Sequence, residues 1–214
     1  MSKYVVIDLE MCRVPKSKKA SYPFYQEIIE IGAVLLNEDF EVADTFKTYV
    51  SPQYGRVDKY IYNLTGITND VIRKAPSFPD ALELFLAWVP EDAVLVSWSH
   101  SDKYQLREES TGKGIRFDCL DALLETAVDC QIAFSKRIDS SKNHSLTDAL
   151  IIAAIDYDDG AHDALVDAMN TARLYAKMMK NPAMKLNPYY TYEKPRSSVY
   201  NPFSDLLVQF KCAV

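Results

Sequence analysis

Residues 4–11 of the chain have the sequence YVVIDLEM, and the predicted fold is built around them. The first half of this stretch is apolar on both faces, which is typical of a central strand covered by helices on both sides of a sheet. We therefore predict a core strand over Tyr4–Leu9. It runs into two carboxylates, Asp8 and Glu10, whose side chains point to the same face, about 6–7 Å apart along the chain. They lie where α/β sheets usually bind ligands, at the end of a central strand.

The other predicted elements surround this strand. Two more strands follow, over Ile28–Asn37 and Val42–Val50, with a hairpin turn at 37–39. A further short apolar run, Ala93–Trp98, predicts another core strand. Helical spacing of apolar residues predicts helices over Phe78–Val89, Asp102–Glu109, Leu120–Ala127, Ser145–Ala154 and Ala164–Lys180. This order of elements predicts an α/β fold with a mixed sheet.

The composition is that of an ordinary globular domain. At 214 residues, with 48% hydrophobic and 25% charged residues, the chain can bury a core without disulfides, and one domain is expected. The N-terminal apolar stretch is too short for a signal peptide, and no apolar run reaches about 18 residues. We therefore expect no membrane span and a cytoplasmic location. No two of the four cysteines have CxxC spacing, so neither a zinc site nor a redox pair is indicated.

The net charge does not by itself indicate a nucleic-acid partner. The formal charge is -6, from 24 Lys+Arg and 30 Asp+Glu, whereas proteins that bind phosphates through their overall field are usually basic. A local basic patch or a bound cation can replace such a field, so this class of partner stays open.

Asp8 and Glu10 form a candidate metal site. Two nearby carboxylates raise each other's pKa unless a cation lies between them. Ligand sets made only of oxygen favour Mg²⁺ or Mn²⁺ over zinc. The alternative is a strand end with two solvated acids.

Two later segments supply possible partners for these acids. In SWSHSDKYQL, Asp102 stands at a predicted helix start, where the alternative is an acid favoured only by the helix dipole. In GAHDALVDAMNTARL, His162 and Asp167 are five residues apart, which is about 140° of rotation on a helix. They converge if His162 precedes the helix or lies in its first turn, and Gly160 supports a chain break there.

In this order, Asp8-x-Glu10, Asp102 and His162-x-x-x-x-Asp167 resemble the motifs of the DEDDh 3'-5' exonucleases. The resemblance extends over roughly residues 1–180, through the segments EIIEIGAVLL (27–36), YNLTGITNDVIRKAPSF (62–78) and HSLTDAL (144–150). Within the family the chain is most similar to the branch of histone-mRNA and small-RNA exonucleases and their bacterial relatives. One departure is Trp98-Ser99, since the family often has Trp-Gly before the second-motif aspartate.

The resemblance implies an RNase H-like core, a mixed five-stranded sheet flanked by helices, in a domain over residues 1–180. A Tyr- and Pro-rich tail over 181–214 would follow it. The resemblance also implies two divalent ions, Mg²⁺ or Mn²⁺, about 3.5–4 Å apart, held by Asp8, Glu10, Asp102 and Asp167. His162 would accept the proton of the attacking water, because histidine titrates near neutral pH. The products would be nucleoside 5'-monophosphates from the 3' ends of single-stranded RNA or DNA.

Substrate contacts are expected from three places. The resemblance implies that the backbone around Leu9 and Met11 lies near the terminal base and that the loop with Thr65 and Ile67 contacts the 3' nucleotide. Arg13 and a lysine run, Lys16, Lys18 and Lys19, follow the first motif directly and are positioned to reach phosphates upstream of the cut. The alternative for this run is a solvated flexible loop.

Two alternative functions stay open. One is proofreading or repair of DNA instead of RNA trimming, because selectivity for the 2'-OH depends on contacts outside the catalytic motifs. The other is an inactive DEDD-like module that binds RNA, or a protein partner or second copy through the C-terminal tail. The complete set of four acids and one histidine argues against the inactive module.

Overall fold

The computed structural model describes residues 3–157, 160, 162–181 and 183–189. Five strands form one mixed sheet in the order β3-β2-β1-β4-β5. The strands are β1 Tyr4–Arg13, β2 Gln26–Leu36, β3 Val42–Tyr49, β4 Val94–Ser97 and β5 Val128–Asp129. β1 pairs antiparallel with β2 and parallel with β4. The strand predicted from YVVIDLEM therefore lies at the centre, and the expected mixed five-stranded sheet is confirmed.

The described residues also form eight α-helices and a 3-10 turn at Lys16–Lys18. The helices are α1 Lys59–Thr65, α2 Asn69–Ile72, α3 Phe78–Trp88, α4 Ser101–Gly112, α5 Asp118–Glu125, α6 Cys130–Arg137, α7 Leu146–Ile152 and α8 Ala164–Lys180. All five predicted helices are present. The helices α1, α2 and α6 were not predicted, because each buries only one or two apolar side chains and so has no apolar stripe in its sequence.

Helices cover both faces of the sheet. Val5, Ile7 and Leu9 of β1 pack with apolar residues of α3 and α5 on one face, whereas Val6 packs with α6, α7 and α8 on the other. This two-sided burial explains why the strand is apolar throughout its first half. Because side chains alternate along a strand, Asp8 points to the face that carries α8.

α8 crosses the sheet at Gly32 of β2, where there is no room for a side chain. A Cβ on Gly32 would lie 2.2 Å from both the carbonyl carbon of Ala164 and the amide nitrogen of Leu165. Gly32 is also the pairing partner of Asp8 on β1. The missing side chain therefore lets the first turn of α8 approach the sheet beside Asp8.

Within the described residues the last helix, α8, ends at Lys180, and the division into a domain over 1–180 and a tail stays a prediction. Most of the predicted tail, 181–214, lies outside the described residues, and so do its predicted partner-binding role and its apolar segment Leu206–Phe210. Asn187, just after α8, donates from its backbone to the carbonyl of Ile152 at the end of α7. No helix in the described ranges is long and apolar enough to cross a membrane.

Candidate active site

Two carboxylates shape the start of α8. The Oδ1 atom of Asp163 accepts hydrogen bonds from the amides of Leu165 and Val166, at 3.1 and 3.3 Å. The Oε2 atom of Glu30, in β2, accepts from the amide of Ala164 at 3.1 Å. These are amides that have no partner inside the helix, so the two carboxylates stabilise the first turn and fix its position against the sheet.

His162 lies just before this helix, in a left-handed backbone conformation with φ 71°. Its backbone amide donates to Oδ2 of Asp167 at 2.9 Å. The histidine thus stands ahead of α8, the arrangement in which the two residues can converge despite their spacing of five. This hydrogen bond connects the loop before α8 to the first turn of the helix.

Glu10, His162 and Asp167 come together beside β1, which does not end at Leu9 as predicted but continues past Glu10 to Arg13. One ligand atom from each of these side chains lies within 4.8 Å of the other two. Glu10 is buried, Asp167 is half-buried and His162 is exposed, so the cluster opens to solvent on the histidine side. This spacing suits a shared cation or a shared proton.

Asp102 enters the same cleft from α4 and is almost fully buried. Burial raises the pKa of its carboxyl to about 7, although hydrogen bonds from its own amide, the amide of Leu9 and the hydroxyl of Ser101 oppose the rise. Ser97, the last residue of β4, pairs with Ile7 of the parallel strand β1, so α4 begins close to Asp8. This explains how an acid 92 residues after Glu10 in sequence joins the first motif.

Burial and mutual repulsion raise the pKa of the other acids as well. Burial raises the pKa of Asp8 well above its usual value, with further contributions from the charges of Asp102 and Asp167. The pKa of Glu10 rises to about 8, through burial first and the charge of Asp167 second. Burial also raises the pKa of Asp167. A divalent cation would relieve this repulsion, and carboxylate oxygens are the ligands that Mg²⁺ and Mn²⁺ prefer.

The comparison with protein families is consistent with this geometry. Residues 5–175 match the family model described as Exonuclease, the RNase T family. The chain belongs to this exonuclease family. The matched range runs from β1 into α8 and contains all four acids and His162, so the resemblance to the DEDDh exonucleases is confirmed.

Relatives within the exonuclease family act on different nucleic acids according to their names. The chain is 28% identical over 178 residues to 3'-5' exoribonuclease 1 of Mus musculus. The matched region covers 74% of this chain and 48% of the mouse protein. The chain is also 28% identical over 155 residues to the PolC-type DNA polymerase III of Caldanaerobacter subterraneus subsp. tengcongensis, covering 72% of this chain and 10% of that protein. The chain thus spans about half the length of the exoribonuclease relative.

A solved structure shows the same fold. The nuclease domain of 3'hExo, described as a DEDDh family member bound to rAMP, has a TM-score of 0.71 and 23% sequence identity. The likeness covers 87% of this chain and 96% of that domain. The RNase H-like arrangement expected from the sequence is therefore confirmed for the exonuclease-family chain.

The four residues expected near the terminal nucleotide are largely packed into the protein. The side chain of Leu9 is buried in the core, while its backbone amide lies near the carboxylate on α4. Met11 is half-buried against the same core. Ile67 is buried in a smaller apolar cluster, and the hydroxyl of Thr65 accepts from the amide of Ile67 at 3.1 Å. A substrate would meet Leu9 through its backbone, and these four contacts stay predictions.

The lysine run lies on the surface around the 3-10 turn. All three lysines, Lys16, Lys18 and Lys19, are exposed. The Nζ atom of Lys19 donates to the hydroxyl of Tyr25 at 3.3 Å and lies 5.2 Å from the centre of its ring. The segment therefore has local structure, and its contact with phosphates stays a prediction.

Three residues that position the site in this exonuclease-family chain were not predicted from the sequence: Glu30, Lys47 and Asp163. The Nζ atom of Lys47, in β3, lies 2.9 Å from Oε1 of Glu30 and 2.5 Å from Oδ2 of Asp163. One signal was present, because Glu30 is an acid within the apolar segment EIIEIGAVLL, and a buried charge requires a partner. Lys47 is on an edge strand with many polar residues and gave no such signal.

Proposed function

We propose that the chain is a metal-dependent 3'-5' exonuclease that removes nucleoside 5'-monophosphates from the 3' ends of single-stranded RNA or DNA. The convergence of Glu10, His162 and Asp167 within 4.8 Å carries this proposal. Hydrolysis of a phosphodiester needs neutralisation of negative charge and a group that accepts the proton of the attacking water. The cluster contains groups suited to both tasks.

Four carboxylates would hold the ions: Asp8, Glu10, Asp102 and Asp167. Their donor atoms are all oxygen, and the pKa of each is raised in a way that a bound cation would reverse. Two bound Mg²⁺ or Mn²⁺ ions would supply charge neutralisation at the scissile phosphate and increase the acidity of a bound water. They would also offset the negative charge of a cleft that otherwise repels nucleic acid.

His162 would accept the proton of the attacking water. Its side chain lies on the open side of the cluster, with the acids Glu10 and Asp167 on the buried side. The hydrogen bond from the backbone amide of His162 to Asp167 fixes the backbone that carries the imidazole. From this position a histidine can exchange its proton with solvent after each cut.

The substrate class is proposed from the names of the relatives. The mouse relative is named an exoribonuclease and the PolC-type relative a DNA polymerase. We propose single-stranded RNA as the first substrate to test and DNA as the second. The terminal nucleotide would contact the backbone of Leu9 and Met11 and the loop with Thr65 and Ile67, and phosphates upstream would lie near Lys16, Lys18 and Lys19.

The decisive experiment uses 5'-labelled RNA and DNA of the same sequence as single strands, blunt duplexes, duplexes with 3' overhangs, and circles. With Mg²⁺ or Mn²⁺ we expect a ladder that shortens one nucleotide at a time, and no activity in excess EDTA. Blunt ends should be cut more slowly than overhangs, because unpairing costs on the order of 1.4 kcal/mol per base-pair step. Circles should stay intact.

Three results would contradict the proposal. Cleavage of a circle, or first products from the middle of the strand, would indicate an endonuclease. Full activity in EDTA would exclude the metal requirement. Oligonucleotide binding with no turnover in either metal would favour the inactive binding module.

A further inference from the structure

β1 continues past the acidic cleft to a second, positively charged pocket. Arg13, three residues beyond Glu10 or about 10 Å along an extended strand, forms an isolated antiparallel bridge with Arg56. A pocket of about 570 Å³ opens beside this bridge. Its lining includes Arg13, Lys16, Tyr25, Gln26, Arg56 and Asp58. We call it the Arg13–Arg56 pocket.

The pocket has an excess of free cations. Within the described parts of the chain, Arg13, Lys16 and Arg56 form no ion pair. The single acid in the lining, Asp58, is engaged at the start of α1, where its Oδ1 atom accepts from the amide of Ile61 at 2.9 Å. In a chain with a net charge of -6 this is a local positive surface. Arginine suits phosphate groups because its planar guanidinium donates several parallel hydrogen bonds.

Exposed aromatic rings stand beside these cations. Tyr25 and Tyr60 have 67% and 59% of their surface exposed. The guanidinium of Arg13 lies 5.4 Å from the centre of the Tyr60 ring. Surfaces that bind single-stranded nucleic acids combine cations for the backbone with exposed aromatic rings on which bases stack.

A buried carboxylate holds one wall of the pocket in place. Glu27, which has no exposed surface, accepts hydrogen bonds from the amides of Gln53, Tyr54 and Gly55 at 2.9, 2.8 and 2.5 Å. The loop formed by these residues leads directly to Arg56. The Nζ atom of Lys113 lies 2.7 Å from Oε1 of Glu27 and 2.7 Å from Oε1 of Glu109, so this buried cation is shared by two acids. The position of the loop is therefore set by the fold before any ligand binds.

We infer that the Arg13–Arg56 pocket binds the unpaired segment of a nucleic acid strand just upstream of its 3'-terminal nucleotides. Arg13 and Arg56 contact its phosphates, and Tyr25 and Tyr60 stack on its bases. This inference rests on the proposed exonuclease function. It adds to that function a requirement for several unpaired nucleotides. A strand whose 3' end lies in the acidic cleft reaches the pocket only if its unpaired segment is long enough.

The test measures binding apart from turnover. Fluorescence anisotropy gives the Kd of labelled single-stranded RNA and DNA, of three and twelve nucleotides, in EDTA over a series of salt concentrations. The dodecamers should bind more tightly than the trimers. R13Q/R56Q should reduce the log–log salt slope for the dodecamers by about 1.4, since each phosphate contact with a single strand contributes about 0.7. Y25L/Y60L should weaken their binding about tenfold or more, because stacking is lost.

The matched control is K136Q/K180Q, which removes the same charge from α6 and from the C-terminal end of α8. Lys180 is about 20 Å along the helix from Asp167, and both lysines are exposed. This double variant should keep the wild-type slope. Three results would overturn the pocket assignment. The salt slope could be the same in the wild type, R13Q/R56Q and K136Q/K180Q, or it could fall equally in both double variants. The trimer and the dodecamer could also bind with equal affinity. Absence of trimming by the wild-type protein in Mg²⁺ or Mn²⁺ would instead overturn the exonuclease proposal.

Discussion

Asp167 combines two contacts in one side chain. It accepts a hydrogen bond from the backbone amide of His162 and also lies in the cluster with Glu10. We predict that Asp167→Asn lowers kcat more than tenfold, at least about 1.4 kcal/mol of transition-state stabilisation. The amide side chain can still accept a hydrogen bond but lacks the charge that holds a cation. Trimming of a labelled oligonucleotide in Mg²⁺ measures the loss.

Asp148→Asn is the matched control for this prediction. Asp148 is also an acid in the first turn of a helix, α7, but it is exposed. Its replacement should leave turnover close to that of the wild type, and thermal melts should show that both variants fold. If Asp167→Asn keeps more than a tenth of wild-type kcat, its assignment as a ligand is wrong. Asp8→Asn should behave as Asp167→Asn does, and the same limit applies.

Lys47 acts on the site through Glu30 and Asp163. We predict that Lys47→Met destabilises the protein by about 1–3 kcal/mol, because the buried carboxylate of Glu30 loses a partner. Turnover should also fall, since Glu30 and Asp163 both hold the first turn of α8. Chemical denaturation and steady-state kinetics measure the two effects.

A double variant separates this positioning role from general damage. Glu30→Gln combined with Lys47→Met removes the unpaired buried charge but keeps an oxygen that can accept from Ala164. The double variant should be more stable than Lys47→Met alone, and Lys47→Arg should retain most turnover. A double variant no more stable than Lys47→Met would mean that Glu30 and Lys47 are not coupled.

At the scale of the elements, the site depends on how closely α8 approaches β2. We predict that Gly32→Ala lowers kcat and metal affinity, because the added Cβ overlaps the backbone of Ala164 and Leu165. Overpacking of this kind typically costs about 1–3 kcal/mol. The clash is with backbone atoms, so it is relieved only if the helix, with Asp167, moves away from Asp8. Titration with Mn²⁺ and kinetics at saturating metal measure the change.

Ala33→Gly is the control for the strand itself. It alters the neighbouring residue, which faces the opposite core, and costs about 1–2 kcal/mol through strand entropy and a lost methyl group. It should lower stability without lowering metal affinity. If both variants change metal affinity equally, the contact at Gly32 does not position α8.

The elements were largely predictable from the sequence, but the buried side of α8 was only partly so. Apolar spacing over Ala164–Lys180 places Met179 on the same stripe as Leu165, yet Met179 is 42% exposed, whereas Met178 is buried. The buried face is set by small residues such as Ala168 and Ala172 that allow close packing on the sheet. Hydrophobicity alone cannot place this face, because several registers of the helix contain similar numbers of apolar residues.

At the scale of the whole molecule, the raised pKa values predict how stability depends on pH and metal. Without metal, the folded protein holds protons on Glu10 and Asp102, with pKa values of about 8 and 7, that the unfolded chain releases at lower pH. Their stabilising contribution is therefore complete only below the ordinary pKa values of 4.5 for Glu10 and 3.8 for Asp102, and it is lost progressively as pH rises from there to about 7 to 8. We predict that, in EDTA, the Tm falls between about pH 5.5 and pH 8.

Added Mg²⁺ or Mn²⁺ should raise the Tm more at the higher pH, because only the ionised carboxylates bind metal and binding stabilises the folded state. Thermal melts with and without metal at both pH values measure this. Glu10→Gln should reduce both the pH dependence and the metal effect. A larger metal shift at the acid pH would contradict the assignment of these acids as a metal site.

The acids of the site could be predicted from the sequence, but the ion pairs of Lys47 that position α8 could not. The order of the acids along the chain was sufficient, because Asp8 and Glu10 follow an apolar run and Asp102 and Asp167 lie near helix starts. The ion pairs of Lys47 join residues 17 and 116 positions away, in β2 and ahead of α8. Such contacts arise only when the sheet is assembled, so the sequence indicates that Glu30 needs a partner but not that Lys47 is that partner.

The left-handed backbone of His162 has an evolutionary consequence. Asparagine and glycine adopt positive φ at least as readily as histidine, so drift at this position can remove the imidazole without straining the loop. If the proposed function holds, a single substitution at His162 would give a protein that still binds oligonucleotides but no longer cuts them. His162→Asn should retain the wild-type Tm and affinity for single strands while losing turnover. A fall in Tm would mean that the side chain of His162 also stabilises the loop.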